Sequence, residues 1–450
     1  SLCDFSGPFP PWLRHLTNLS VFTLTGNQFD GEIPDWAWRL AKLTLDFSDN
    51  SFNNTLSCDT TTTGPQPFPS LTTLDVSYNT YITGTIPCFV ANLTSLLTLS
   101  FAMNSLYGPI PDMFAALTKL RFLDLSLNQF DGILPSSMQH LRSLSELDLD
   151  TNLLSPQEVP SFLLDLPSIV RIDLSFNNFT AIPNDLAVRN SSLEYLKLSS
   201  NKLSGPIPSA FFTFIPNLKF LRLDSNQLSG EVPASLSQLN QLQTLDLSYN
   251  SLHGPLPSTL SNLSSLLILN VQGNPIGGPI PSFISLLDQL LVLDLGSCEL
   301  NGSIPSSMGL SLPQLQVLIL SYNRLTGPIP SSLGELKGMI NPNAGSSAKD
   351  VIDHEDYIKD DLSITLKGEN GTYSSLQLLT DLDLSNNLLI GHIPPELGAL
   401  VQLLSLDLSK NRLDGVIPSA LGGLVKLEAL DVSQNELEGE IPQSFTQLTS

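Results

Sequence analysis

Apolar residues along this chain follow a short alternation that keeps returning. Triplets of the form L-x-L, such as Leu123-Asp124-Leu125 and Leu245-Asp246-Leu247, set two leucines two apart. That spacing puts both leucines on one side of a strand and the residue between them on the other. Around each triplet the pattern extends to L-x-x-L-x-L-x-x-N-x-L-x-G-x-I-P. Its Asn stands at Asn27, Asn50, Asn79, Asn104, Asn128, Asn152, Asn177, Asn201, Asn226, Asn250, Asn274, Asn323, Asn387, Asn411 and Asn435, and Cys3 and Cys298 hold the same place, which makes seventeen units. Successive positions are mostly 24 or 25 apart. One such unit cannot close a core alone, so each predicts one parallel strand whose leucines are covered by the neighbouring units. The expected architecture is an α/β solenoid of about seventeen repeats with one parallel sheet along a concave face. After each strand the backbone leaves polar groups inside the coil. An Asn carboxamide, donor and acceptor at once, is expected to satisfy them and to stack on the Asn of the next repeat.

One interval breaks the rhythm. Asn323 and Asn387 are 64 residues apart, which leaves about 40 inserted residues from about Met339 to Leu378 once one repeat is subtracted. The chain therefore divides into repeats over 1–338, an insertion over 339–378 and further repeats over 379–450. Cys3 is already a ladder position and Ser450 falls within a repeat, and neither end shows the polar capping unit that a solenoid needs. The expectation is a segment of a longer protein, with caps, signal peptide and membrane span outside it.

Charge and composition narrow the partners. The formal net charge is -23 with only 14% charged residues, which argues against nucleic acid, anionic membrane surfaces and polyanionic ligands. No run of 18 apolar residues is present, so nothing within the chain reads as a membrane span. Four cysteines form no C-x-x-C pair and so suggest no metal site. The five histidines give neither H-E-x-x-H nor a Ser-His-Asp arrangement, and His354, between Asp353 and Glu355-Asp356, reads as part of a solvated acidic loop. Nothing supports catalysis, and no cofactor is expected. Asp recurs in L-D-L-S at Asp124, Asp173, Asp246, Asp383 and Asp407. There it is expected to hydrogen-bond between strands and keep the face wet rather than to hold a cation.

The G-x-I-P ending, present as such or as a close variant in thirteen of seventeen units, as in Gly31-Glu32-Ile33-Pro34 and Gly205-Pro206-Ile207-Pro208, resembles the plant-type leucine-rich repeat of extracellular receptors and cell-wall inhibitor proteins. The insertion carries Asp350 to Tyr357 and ends Leu362-Ser363-Ile364-Thr365-Leu366-Lys367-Gly368. It resembles the island of plant receptor-like proteins, in which a Tyr is followed by an alternating strand and Lys-Gly. The resemblance implies the extracellular part of a kinase-less cell-surface receptor, immune or developmental, anchored by a membrane span outside this segment. Such a receptor binds an extracellular protein or peptide and signals through a constitutive receptor-like kinase partner and a SERK-type co-receptor kinase. Two other classes share the repeat: the ectodomain of a receptor kinase for a peptide or steroid hormone, and a secreted inhibitor of wall-degrading enzymes. The insertion counts against the inhibitor, which is shorter and lacks one.

Several residues stand out against this frame. Cys58 lies eight residues past Asn50 and Cys88 nine past Asn79, a nearly equal phase in adjacent coils that predicts a disulfide. Cys3 and Cys298, at ladder positions, are expected to be buried and free. Leu362, Ile364 and Leu366 alternate as one face of a strand. With Tyr357, Lys359, Lys367 and Gly368 as family-matching anchors, the insertion is expected to fold onto the concave side and help receive the co-receptor. Its front half, Asn341 to Lys349, is polar and expected to be mobile. N-x-S/T sequons occur at Asn18, Asn53, Asn92, Asn178, Asn190, Asn262, Asn301 and Asn370. Their number is near what the composition scatters by chance, but in a secreted protein they are glycan acceptors. Finally, the outward strand slots six, four and two residues before each ladder Asn mostly hold Thr, Asp or Ser. Between the repeats of Asn128 and Asn226 they hold Phe122, then Glu146, Asp148 and Asp150, then Arg171, then Tyr195 and Lys197, then Phe220, Arg222 and Asp224. Exposed aromatics and Arg dominate binding energy at interfaces, so these slots are the expected ligand patch.

Overall fold

The computed structural model describes residues 3–16, 18–58, 70–184, 192–341 and 380–448, together with the backbone of 362–366 and 369–373. Its internal contacts divide the chain into two units, Ser1–Ser204 with Ala210–Leu218, and Gly205–Ser209 with Lys219–Ser450.

In the first unit, eight strands from Leu19–Thr23 to Tyr195–Lys197 lie in chain order, each parallel to the next. The repeats stay in phase, so Thr98 pairs with Phe122, Phe122 with Glu146, Glu146 with Arg171 and Arg171 with Tyr195. The residue after each of these turns inward, and Leu99, Leu123, Leu147, Ile172 and Leu196 form one fully buried row. Burying a side chain of that size stabilises by about 1.5–3 kcal/mol, and only the stacking of coils makes it possible. In the second unit eight more strands, from Phe220–Arg222 to Ala429–Asp431, repeat the arrangement around Leu245, Leu269, Leu293, Leu318 and Leu382. Val317–Ile319 pairs directly with Asp381–Asp383, so the inserted residues leave the sheet without interrupting it.

Opposite the sheet, each coil turns through a one-turn helix, mostly of the 3-10 type, for example Asp35–Arg39 and Ser136–His140 in the first unit and Ser258–Asn262 in the second. The Pro that closes G-x-I-P sits in extended conformation just before many of them, as Pro34, Pro135 and Pro257 do. Its fixed φ and missing N–H suit a helix start, where a donor would lack an intrahelical partner. The motif Gly is needed for its backbone: Gly132 has φ +72°, and a Cβ on Gly84, at φ +95°, would overlap the Leu56 carbonyl.

The Asn column holds coil to coil. Asn128 Nδ2 donates to the carbonyls of Leu125 (3.3 Å) and Ser126 (2.9 Å) in its own turn and of Phe101 (2.9 Å) in the preceding one, and its Oδ1 accepts from Leu106 N–H at 3.0 Å. Asn250 repeats the set in the second unit on Leu247, Ser248, Leu223 and Leu228. These carboxamides satisfy the backbone of their own turn and of the neighbouring coil, as expected. Cys298 fills the same place: its thiol lies 3.3 Å from the carbonyls of both Val271 and Gly296, and burial pushes its pKa up to about 12. Cys298 is buried and free, whereas Cys3, also free, is exposed rather than buried as expected. Cys58 and Cys88 are joined in a disulfide with Cα atoms 4.5 Å apart.

Candidate functional site

The outward slots of the sheet are shaped first by the L-D-L-S turn. Asp124 Oδ1 accepts from the Ser126 backbone N–H at 3.0 Å and from its hydroxyl at 2.7 Å, and Asp46 with Ser48, Asp75 with Ser77 and Asp246 with Ser248 repeat the pair. The carboxylate thus pins the exit of its own strand. The expected bonding between strands occurs as well, with Asn270 Nδ2 donating to Asp246 Oδ2 at 3.3 Å, whereas Asp173 and Asp246 are buried rather than wet.

In the first unit the register brings Phe122, Glu146, Arg171 and Tyr195 side by side on four consecutive strands. Phe122, Glu146, Asp150 and Arg171 are half-buried, but Tyr195 and Lys197 are each only 5% exposed. The cause lies in their neighbours. The Arg171 guanidinium carbon stands 4.3 Å from the centre of the Tyr195 ring, and Nη2 lies 3.9 Å from Asp148 and 3.7 Å from Asp173. Lys197 Nζ lies 3.5 Å from the same Asp173 carboxylate. Two cations therefore share one buried anion, and one of them also covers an aromatic face. The patch is a pre-formed charged network with Phe122 and Glu146 at its margin, rather than a row of exposed aromatics. Burial, and then repulsion from Asp173, Asp124 and Asp150, raises the pKa of Asp148 to about 8. Asp150 is raised as well, first by burial and then by Asp173, while Lys197 acts the other way.

Phe220 and Arg222 belong to the strand Phe220–Arg222 of the second unit, and Asp224 follows two residues after it. Phe220 is 4% and Arg222 8% exposed, so the expected exposure fails here too, and Asp224 is half-buried. Burial first, and then Asp224, raises the pKa of Asp246 to about 7, against the attraction of Arg222. Further along this sheet the outward slots turn apolar: Ile268, Val292, Val317 and Ile319 are all buried. The sequence carried that signal in plain view, since these positions break the Thr, Asp and Ser default. The same face ends in a carboxylate cluster, Asp381, Asp383, Asp407 and Asp431, around a cavity of about 380 Å³. The doublet Asp381-Leu382-Asp383 marks it in the sequence.

Tyr357, Lys359, Lys367, Gly368 and the acidic stretch around His354 lie outside the described residues. Leu362–Leu366 does form a strand, paired antiparallel with Glu369–Tyr373. Of the sequon residues, Asn18, Asn53, Asn92, Asn262 and Asn301 are exposed, while Asn178 is half-buried and donates to the Leu154 carbonyl at 3.0 Å. Asn190 lies outside the described residues, as does the side chain of Asn370. Among the described residues no three His, Cys, Asp or Glu side chains are placed to hold a metal ion, and no helix is long and apolar enough to cross a membrane.

Comparison with known proteins places this geometry. A family model for leucine rich repeats matches residues 69–130, 110–154, 167–228, 216–276 and 377–437, more than half of the chain, and a second leucine-rich-repeat model matches 314–336. The chain belongs to the leucine-rich-repeat family. Within it, the repeats are those of plant receptor-like protein ectodomains. Receptor-like protein 7 of Arabidopsis thaliana is 32% identical over 120 residues, a stretch that covers 22% of this chain and 12% of that protein. Among solved structures, the plant peptide hormone receptor RGFR1 in complex with RGF2 is 28% identical with a TM-score of 0.75, over 99% of this chain and 68% of that one. The Arabidopsis receptor kinase HAESA, in complex with the peptide hormone IDA and the co-receptor SERK1, is 27% identical with a TM-score of 0.56, over 99% and 79%.

Proposed function

We propose that this chain is the ligand-recognition part of a plant cell-surface immune receptor-like protein and performs no catalysis. It faces the outside of the cell and is anchored by a membrane span beyond this segment. The observation that carries the reading is the row Phe122, Glu146, Arg171 and Tyr195, in register on four strands whose preceding neighbours carry Thr73 and Thr98. Arg171, oriented by Asp148, Asp173 and Tyr195, presents a fixed guanidinium edge, and Phe122 and Glu146 offer an apolar and an acidic contact beside it. Pre-orientation of this kind lowers the entropy lost when a polypeptide ligand docks. On the second unit, Phe220, Arg222 and Asp224 are a separate set of proposed ligand contacts. The insertion, through Tyr357, Lys359, Lys367 and Gly368, helps to receive a SERK-type co-receptor kinase, and a constitutive receptor-like kinase relays the signal. Asn18, Asn53, Asn92, Asn262 and Asn301 carry glycans, with Asn178, Asn190 and Asn370 as further acceptors. The similarity to the receptor kinase HAESA with its peptide hormone IDA, and to the peptide hormone receptor RGFR1, favours a second reading, the ectodomain of a peptide-hormone receptor kinase.

The test is a calorimetric screen of the purified chain against a panel of synthetic secreted peptides and apoplastic proteins. Each binder is then measured again with Phe122→Ser and with Glu146→Gln, two half-buried positions whose change leaves the Arg171 network in place. Each substitution is expected to weaken binding at least tenfold. Wild-type affinity in both variants would remove the ligand from this row.

A further inference from the structure

The carboxylate-lined cavity near the end of the second unit has a chemistry of its own. Three consecutive strands, Asp381–Asp383, Ser405–Asp407 and Ala429–Asp431, pair in register, so that Asp383, Asp407 and Asp431 stand in one row. With Asp381, Glu428 and Ser405 they line a cavity of about 380 Å³. Acidic side chains alone are common on a chain of net charge -23. Asp381 is the exception: it is 2% exposed, lines the cavity, and its Oδ1 has no hydrogen-bond partner. Leaving a buried acceptor of this kind unsatisfied costs about 1–3 kcal/mol, and more when it is charged. Burial, then repulsion from Asp383 and Asp407, raises its pKa to about 7, while a hydrogen bond from the Ser405 side chain acts the other way.

We infer that this cavity is a binding site for an arginine side chain of a polypeptide partner, with Asp381 as its buried anchor. A guanidinium offers five N–H donors in a planar fork, which suits several carboxylates spread along a wall. The carboxylates do not converge as metal ligands do, so the chemistry favours an organic cation. A turn of the Asp381 carboxylate toward an arriving guanidinium gives the buried Oδ1 the donor it lacks, and the cation cancels the repulsion among the row, two gains that appear only in the bound state. The site is confined to the second unit and is independent of the ligand row proposed on the first, so either can fail without the other.

Fluorescence anisotropy on the full chain tests it with a labelled arginine-containing peptide and its twin carrying citrulline, the neutral isostere, in place of arginine. Wild-type protein is expected to bind the arginine peptide saturably and at least tenfold more tightly than the twin. Asp381→Asn and Asp407→Asn are each expected to weaken that binding at least tenfold. Two charge-matched controls, Asp30→Asn and Asp131→Asn, each on an exposed position, are expected to keep it. Asn is isosteric with Asp and relieves repulsion, so thermal unfolding of the cavity variants should show an unchanged or higher midpoint. Three results overturn the inference: no saturable binding to wild type, equal binding of the citrulline peptide, or equal loss in the controls. Saturable displacement of the arginine peptide by stoichiometric calcium would assign the cavity to a metal and overturn it as well.

Discussion

The sheet of the first unit and that of the second follow one repeat and reach opposite surfaces. In the first, the slot six residues before the ladder Asn runs Thr73, Thr98, Phe122, Glu146 and Arg171, all half-buried and mostly polar. In the second, the same slot runs Thr244, Ile268, Val292 and Val317, all buried. The repeat dictates which positions look away from the leucine core, because strand alternation is strict. It leaves open what those positions meet. In these stretches the first face is polar and networked, and the second is apolar and buried until it reaches the carboxylates of Asp381, Asp383, Asp407 and Asp431. A triplet rule that treats every outward slot as solvent-exposed misses Tyr195 and Lys197 on the first face and the whole run from Ile268 to Ile319 on the second.

The most direct way to break this contrast is to truncate equivalent slots. Ile268→Ala removes a buried side chain and leaves a cavity, which should cost about 2–5 kcal/mol. Thr98→Ala, in the matching slot of the first unit, should stay within about 0.5 kcal/mol. Urea unfolding of the two variants reads the difference, and equal losses would mean that the two faces are not distinct. A smaller effect is expected inside the first-unit network. Arg171→Gln leaves the buried Asp173 with Lys197 as its remaining cation in this cluster and takes the guanidinium off Tyr195. The expected loss is about 1–3 kcal/mol, largely retained in high salt because the pair is shielded from ions. In Asp173→Asn protein the same Arg171 change should cost clearly less. Additive losses would show that Arg171 is placed by its backbone and not by these carboxylates.

Much of this was legible beforehand, for physical reasons that differ by residue. The Asn and Leu columns and the parallel strands follow from a period that only a stack of coils satisfies, and the Cys58–Cys88 bond follows from nearly equal phase in adjacent coils. The burial of Tyr195 was not legible. It depends on Arg171 one strand away turning over the ring, a choice among rotamers that the pattern of types does not specify. The Asp-to-Ser pinning within one strand exit was not legible either, because both partners recur from coil to coil and spacing alone does not say which Ser an Asp meets. Asp381 was passed over for a related reason: it falls one slot before the recurring Asp, and what distinguishes it is an unpartnered oxygen rather than a motif.

The finest test of the contrast is pH. Asp294, on the second face, is 1% exposed and its pKa is raised to about 8, first by burial, while the Gly296 backbone N–H, donating at 2.9 Å, opposes the rise. Asp148, on the first face, is also raised to about 8, but its side chain is 24% exposed. Each group starts from 3.8 in the unfolded chain. Below that value both states hold the proton and the contribution is whole. Between 3.8 and about 8 the folded state keeps a proton that the unfolded state has lost, so stability falls as pH rises. Above about 8 the carboxyl is ionised in both states and the loss is complete. Asn stands in for the protonated form at every pH, and at position 294 its Oδ1 can still accept from Gly296. Asp294→Asn should therefore match wild type near pH 4 and exceed it at pH 8.5, flattening the decline of the unfolding midpoint with pH. Asp148→Asn should flatten it less, by on the order of 1 kcal/mol, because a carboxylate with access to water relaxes into it and carries less of the burial penalty. If Asp148→Asn flattened the profile as much as Asp294→Asn, the first face would be as closed to water as the second.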